Sequence, residues 1–169
     1  MKILGIDPGT ARTGYGIIRS VGNRLTSLDC GCIETSPKKS DAERLVITYK
    51  EIGKIIRKEK PHIIVIERLF FFMNMKTVMT VSQSRGVVLM TCAQNKIPIF
   101  EYTPLEIKQS LTGYGRAKKK EVQESVKKIL KLKEIPKPDD AADALATAIC
   151  YHLRHNCRNK KQETKNLKR

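Results

Sequence analysis

A chain of 169 residues has room for one compact domain with a true core, and not for two domains with linkers. Lys and Arg outnumber Asp and Glu 33 to 17, a formal charge of +16, of which the tail 154–169 carries only part, so the body of the chain is itself suited to a polyanion. The N-terminal apolar run is only Ile3-Leu4-Gly5-Ile6 before Asp7, which speaks against an export or membrane-spanning segment, and an odd set of five cysteines fits reduced thiols, so a cytoplasmic protein is expected.

Taken in chain order, residues 2–7 and about 12–19 read as strands joined by the turn signal Pro8-Gly9-Thr10. A third strand fits 25–34. Ser40 with Glu43 forms a capping box that opens a helix with Leu45, Ile52, Ile55 and Ile56 on its apolar side, stopped before Pro61. Residues 62–67 make a fourth strand. The stretch 75–95 is helical and apolar on more than one side, which fits either two neighbours, its own sheet and a partner subunit, or simple burial inside a monomer. A fifth strand over 97–102 leads into Thr103-Pro104-Leu105-Glu106, a second capping box with proline at the first helical position. The loop Thr112-Gly113-Tyr114-Gly115 and the basic run Arg116–Lys120 then enter an amphipathic helix with Val122, Val126, Ile129 and Leu130, broken by Pro136 and Pro138. A last helix spans about 139–154, and beyond it the apolar period ends in a basic, flexible tail. Three opening strands followed by alternating helices and strands predict an α/β sheet with helices on its faces, in a domain of residues 1–153.

Four acids sit where so basic a chain should least tolerate them. Asp7 and Glu67 each close an apolar strand, and Asp140 and Asp143, three apart, fall on one face of the last helix. Bringing them together requires something to offset their repulsion, and hard divalent cations such as Mg2+ prefer carboxylate oxygens. Two such ions, held by rigid elements, suit phosphodiester hydrolysis. Each acid also has a plain reading: Asp7 as a turn former, Glu67 as the partner of Arg68, Asp139 and Asp140 as helix-start residues. The joint pattern favours a metal site. A second cluster, Cys150-x-His152-x-x-His155-x-Cys157, offers possible zinc ligands, but its spacing does not match paired knuckles and a helix would splay the side chains.

Gly5-Ile6-Asp7-Pro8-Gly9-Thr10, Thr13-Gly14-Tyr15-Gly16, Ile66-Glu67, Gln83-x-Arg85-Gly86 and Asp140-Ala141-Ala142-Asp143-Ala144-Leu145-Ala146 together resemble the RuvC-type Holliday junction resolvases, in order from residue 1 to about 153. The resemblance implies a ribonuclease H-like fold with a five-stranded mixed sheet. It implies a homodimer that makes symmetric nicks on two strands of like polarity in four-way junction DNA, using Mg2+ (two ions per site, Mn2+ substituting). It also implies Asp7, Glu67, Asp140 and Asp143 as the metal-binding, catalytic acids, and a branch-migration helicase complex of the RuvA and RuvB type as partner. Asp139 is an extra acid without an assigned role. Phe70, first of three consecutive aromatics, matches the family position that stacks on bases, and Lys108 and Lys119 match lysines near the cleaved backbone. Phe71 and Phe72 are left undecided, and Lys118 and Lys120 read as general backbone contacts.

Three rivals are weaker. An ATP-binding protein of the actin and sugar-kinase type shares the first glycine turn but needs two domains, which this length does not hold. A non-catalytic DNA-binding module is disfavoured because every expected acid is present. Another nuclease or transposase of the same fold is set aside by the motifs, not by composition.

Overall fold

In a computed structural model of the chain, the structure describes residues 1–68 and 78–166, with side chains through 155. The elements are β1 (Lys2–Asp7), β2 (Arg12–Val21), β3 (Arg24–Glu34), α1 (Asp41–Glu59), β4 (Ile63–Glu67), α2 (Val78–Gln94), β5 (Ile99–Tyr102), α3 (Pro104–Thr112), α4 (Lys119–Leu130) and α5 (Asp139–Asn166). The strands form one five-stranded sheet in the order β3-β2-β1-β4-β5. β1 runs antiparallel to β2, as β2 does to β3, whereas β4 is parallel to both β1 and β5. The mixed sheet expected from the sequence is therefore present.

β1 is central because its residues are apolar on both faces, and a strand of that kind needs cover on both. Leu4 and Ile6 face a cluster with Ile17, Ile64, Ile66, Ile52, Ile56, Val88 and Cys92, beneath α1 and α2. Ile3 faces the opposite cluster with Ile18, Val65, Tyr102, Val126, Leu145 and Ile149, beneath α3, α4 and α5. Side chains alternate along a strand, so Asp7 and Glu67, each an even step from Ile3 and Val65, belong to the α5 face.

The caps behave as the sequence predicts. Ser40 and Glu43 reciprocate at the start of α1, and Thr103 and Glu106 do so at the start of α3 with Pro104 in the first turn. α1 ends on Lys60 in the left-handed region (φ 48), immediately before Pro61. α4 stops at Leu130, before the two prolines, with Lys131 at φ 54. The last helix is a correction: it continues to Asn166 instead of ending near 154. Apolar periodicity marks where a helix packs, and a basic stretch free of Gly and Pro extends the same helix beyond its packed face.

α5 lies unusually close to the sheet, and three glycines make this possible. A Cβ on Gly5 would stand 2.0 Å from the Ala144 carbonyl oxygen, one on Gly14 would stand 2.0 Å from that of Asp140, and one on Gly16 would stand 2.7 Å from Leu145. All three sit on the α5 face, with Gly5 paired to Gly16 and Asp7 paired to Gly14 across the β1–β2 ladder. The missing side chains bring the first turns of α5 down onto the end of β1.

Candidate active site

Asp7 and Glu67 end two neighbouring parallel strands whose register pairs Ile6 with Ile66, so the two acids lie side by side at one sheet edge. Asp143 comes down on them from the second turn of α5. The three line a cleft of about 220 Å³ together with Pro104, Ile107, Lys108, Lys119, Val122 and Ala146. Lys108 comes from α3 and Lys119 from the first turn of α4, so five elements build the cleft: β1, β4, α3, α4 and α5.

Burial sets the electrostatics. Asp7 is raised from 3.8 to about 7, first by burial, then by the charges of Asp143 and Asp140, with Lys119 opposing. Glu67 is raised from 4.5 to about 8, again first by burial, then by Asp7 and Asp143, with Lys108 and Lys119 opposing. Asp143 is also raised by burial, but a hydrogen bond from Lys119 and its charge work the other way. Burial acts to lower Lys119, and its contacts with Asp143 and Asp139 outweigh that and lift it.

Lys119 is the hub. Its ammonium lies 3.1 Å from Asp143 Oδ2 and 3.3 Å from Asp139 Oδ2. This gives Asp139 a place that sequence reading left open: it pairs with the lysine at the rim. Asp140 stands beside this group, near enough to Asp7 for its charge to raise that carboxyl. It does not line the cleft; its Oδ2 lies 3.8 Å from Arg12 Nη1, at the start of β2. Its side chain is about as exposed as that of Asp143, 27% against 25%. The pairing of Gly14 with Asp7 is what brings Arg12 to the same sheet edge.

Among the described residues no three of the acidic side chains close around a single point. The donor set nevertheless fits hard divalent cations. Three carboxylates line one cleft, two of them lifted toward neutral pH by desolvation and mutual repulsion, and Lys119 reaches Asp143 from one side. Cys150, His152 and His155 do not converge. Cys150 Sγ meets Ser110 Oγ at 3.3 Å, His152 Nδ1 meets Ser20 Oγ at 2.9 Å on the other side of the helix, and His155 Nδ1 meets the Tyr151 carbonyl oxygen at 2.9 Å. Phe70, Phe71 and Phe72 lie outside the described residues.

Residues 3–151 match the family of the crossover junction endodeoxyribonuclease RuvC. This chain belongs to the RuvC family. It is 52% identical over 151 residues to the crossover junction endodeoxyribonuclease RuvC of Pelotomaculum thermopropionicum, covering 89% of this chain and 92% of that one. The RuvC structure of Thermus thermophilus superposes with a TM-score of 0.86 at 31% identity, over 93% of this chain and 96% of that one. The T. thermophilus RuvC solved in complex with Holliday junction substrate gives 0.84 at 28% identity, with the same coverage. The expected ribonuclease H-like architecture of the RuvC enzymes is thus the fold of this chain.

Proposed function

We propose that this RuvC-family chain is a metal-dependent endonuclease that resolves four-way DNA junctions by paired nicks on strands of like polarity. The observation that carries the reading is the meeting of Asp7, Glu67 and Asp143 in one cleft rimmed by Lys108 and Lys119. Two strand ends and a helix supply the acids, so their spacing is set before any substrate arrives, as an in-line displacement requires. Asp7, Glu67 and Asp143 would hold the ions together with Asp140, whose charge already reaches Asp7. Bound there, two Mg2+ ions, or Mn2+ in their place, supply the charge that makes a water nucleophilic and that steadies the leaving oxygen.

The chain's own groups do the rest. Lys108 and Lys119 face the space where a scissile phosphate would lie, and each can donate to the charge that develops on it. Lys119 can do so by loosening from Asp143 once that carboxylate is otherwise neutralised. Val122, Ile107 and Ala146 make an apolar floor, which limits competing water. The basic excess of the chain attracts the polyanionic backbone. Phe70 stacks on junction bases in this reading.

The working unit is a homodimer acting in the cytoplasm with a branch-migration helicase complex of the RuvA and RuvB type, and residues 1–153 form the nuclease with 154–169 as a basic extension. No helix among the described residues is long and apolar enough to cross a membrane.

A synthetic four-way junction, labelled on each strand in turn, tests this. With Mg2+ the chain should nick opposed strands of like polarity and leave linear duplex of the same sequence largely intact. Asp7→Asn and Glu67→Gln should each lower nicking at least about a hundredfold, a loss of roughly 2.7 kcal/mol of barrier reduction, while junction binding persists. Equal cutting of linear and branched DNA would overturn the substrate assignment, and full activity in either variant would overturn the site.

A further inference from the structure

Two adjacent residues of α2 are linked to the strand ends that carry Asp7 and Glu67, one through the turn after β1 and one through β5. Ser84, buried, donates from Oγ to the Gly9 carbonyl oxygen at 2.9 Å. That oxygen also accepts from Thr13 Oγ1 at 3.0 Å, so the turn two residues beyond Asp7 is held from both sides. Arg85 Nη2 donates to Glu101 Oε1 on β5. The second oxygen of Glu101 lies 3.8 Å from Nη2 of Arg68, the residue after Glu67, whose backbone N–H donates to the Tyr102 carbonyl oxygen at 2.8 Å.

The ladder explains why this wiring runs through Glu101. Glu101 is registered against Ile66, and Tyr102 against Glu67. Ile66 is buried in the α1–α2 cluster, so Glu101 points to that face while Glu67 points to the other. A residue on α2 therefore cannot touch Glu67, but it can fix the backbone that carries it. Packing alone does not account for Arg85. Its Nε is buried without a hydrogen-bond partner among the described residues, and an apolar side chain would fill that place without desolvating a cation.

We infer that Ser84 and Arg85 are positioning residues through which α2 sets the separation of the Asp7 and Glu67 carboxylates. Ser84 holds the Asp7 turn through the Gly9 carbonyl. Arg85 holds the end of β4 through Glu101 and Arg68. The inference rests on the reading of Asp7 and Glu67 as ion-holding groups, and its consequence is that neither residue touches ion or DNA yet both govern ion affinity.

The test uses the full chain and reads Mn2+ binding directly, by the loss of the free-ion paramagnetic resonance signal, alongside the Mg2+ dependence of single-turnover junction nicking. Arg85→Ala and isosteric Glu101→Gln should each weaken Mn2+ binding and raise the Mg2+ half-saturation by roughly 10-fold or more. Junction binding in Ca2+ should stay within about twofold, because no DNA contact is removed. The two changes combined should cost no more than either alone, since they cut one linkage. The exchange Arg85→Glu with Glu101→Arg should recover part of the loss. Ser84→Ala should weaken Mn2+ binding independently and add to the Arg85 effect. Folded variants with unchanged Mn2+ affinity and Mg2+ half-saturation overturn the inference. If Arg85→Ala fails to fold, Glu101→Gln and Ser84→Ala decide it on the same readouts. A wild-type chain that binds Mn2+ but cuts no junction would defeat the proposed function, and the Mn2+ comparison would still decide the positioning role. A wild-type chain that binds no Mn2+ defeats both.

Discussion

At the scale of single residues the site is defined by a conflict between burial and charge. Asp7 and Glu67 have folded values of about 7 and about 8 against ordinary values of 3.8 and 4.5. Between those limits the folded chain retains protons that the unfolded chain has lost, so the folded state binds more protons and stability falls as pH rises. The metal-free chain should accordingly be most stable near pH 4, lose on the order of a few kcal/mol by pH 8, and level off above it. Calorimetry in a chelator would show the melting temperature dropping across that window. Asp7→Asn should flatten the slope and melt above the wild type at pH 8, because it removes a charge the fold does not want. Millimolar Mg2+ should restore the wild type and not the variant. A metal-free melting temperature that rises from pH 5 to pH 8 would show that these carboxylates are not the strained pair described here. The acids themselves were legible in the sequence because each closes an apolar run. The ion pair of Asp140 with Arg12 was not, since it depends on which residues the β1–β2 register brings to one sheet edge.

Elements explain how residues so far apart in sequence arrive together. Local signals were strong at helix starts: both capping boxes read from Ser40–Glu43 and Thr103–Glu106 form as reciprocal hydrogen bonds. Signals that depend on tertiary neighbours were weaker. α5 runs a dozen residues beyond the last of its apolar periodicity, because that periodicity reports packing, not helicity. The Arg85–Glu101–Arg68 linkage joins α2, β5 and the end of β4, and nothing in the local spacing points to it. The glycines fall between these cases. Gly5, Gly14 and Gly16 looked like motif residues, and the structure gives each a steric reason, the descent of α5 onto β1 and β2. Gly5→Ala would set a methyl group 2.0 Å from the Ala144 carbonyl oxygen, a backbone atom that moves only if the whole helix moves. Overpacking of this kind costs about 1–3 kcal/mol or more, and here it would also lift Asp143 away from Asp7. The expected outcome is a lower urea midpoint together with a loss of nicking larger than the stability change explains, measured at a temperature where the variant remains folded. Gly86→Ala, where a Cβ meets nothing within 4 Å, serves as the matched control and should leave the urea midpoint no lower than wild type.

At the scale of the molecule, one sheet separates two different kinds of surface. The α3–α4–α5 side carries the cleft, with Lys108 and Lys119 at its mouth. The α1–α2 side exposes several apolar residues close together: Val46 at 49%, Tyr49 at 40% and Met90 at 48%. With Leu45 and Val87 they line a shallow depression between the two helices. α2 has apolar residues all around, as the sequence reading of 75–95 noted, but only Ser84, Val88, Thr91 and Cys92 of it are buried within the chain. A contiguous patch of this sort is suited to a second copy, and a twofold pairing presents the same patch from both sides. Symmetric nicking, as proposed above, requires two clefts on one junction, and pairing through this patch is the arrangement that would supply them. The wild-type chain should sediment as a dimer at micromolar concentration. Met90→Asp combined with Val46→Asp, both at exposed positions, should yield a folded monomer, because a charge at the centre of an apolar contact is desolvated without a partner. That monomer should retain Mn2+ binding in its cleft, bind four-way junctions more weakly, and lose simultaneous cuts in favour of single, unpaired nicks. Plasmid-borne cruciform DNA distinguishes the two results: paired cutting gives linear product directly, whereas uncoupled cutting accumulates nicked circles first. Linear product formed at wild-type proportions by a proven monomer would remove the α1–α2 face from the reaction altogether.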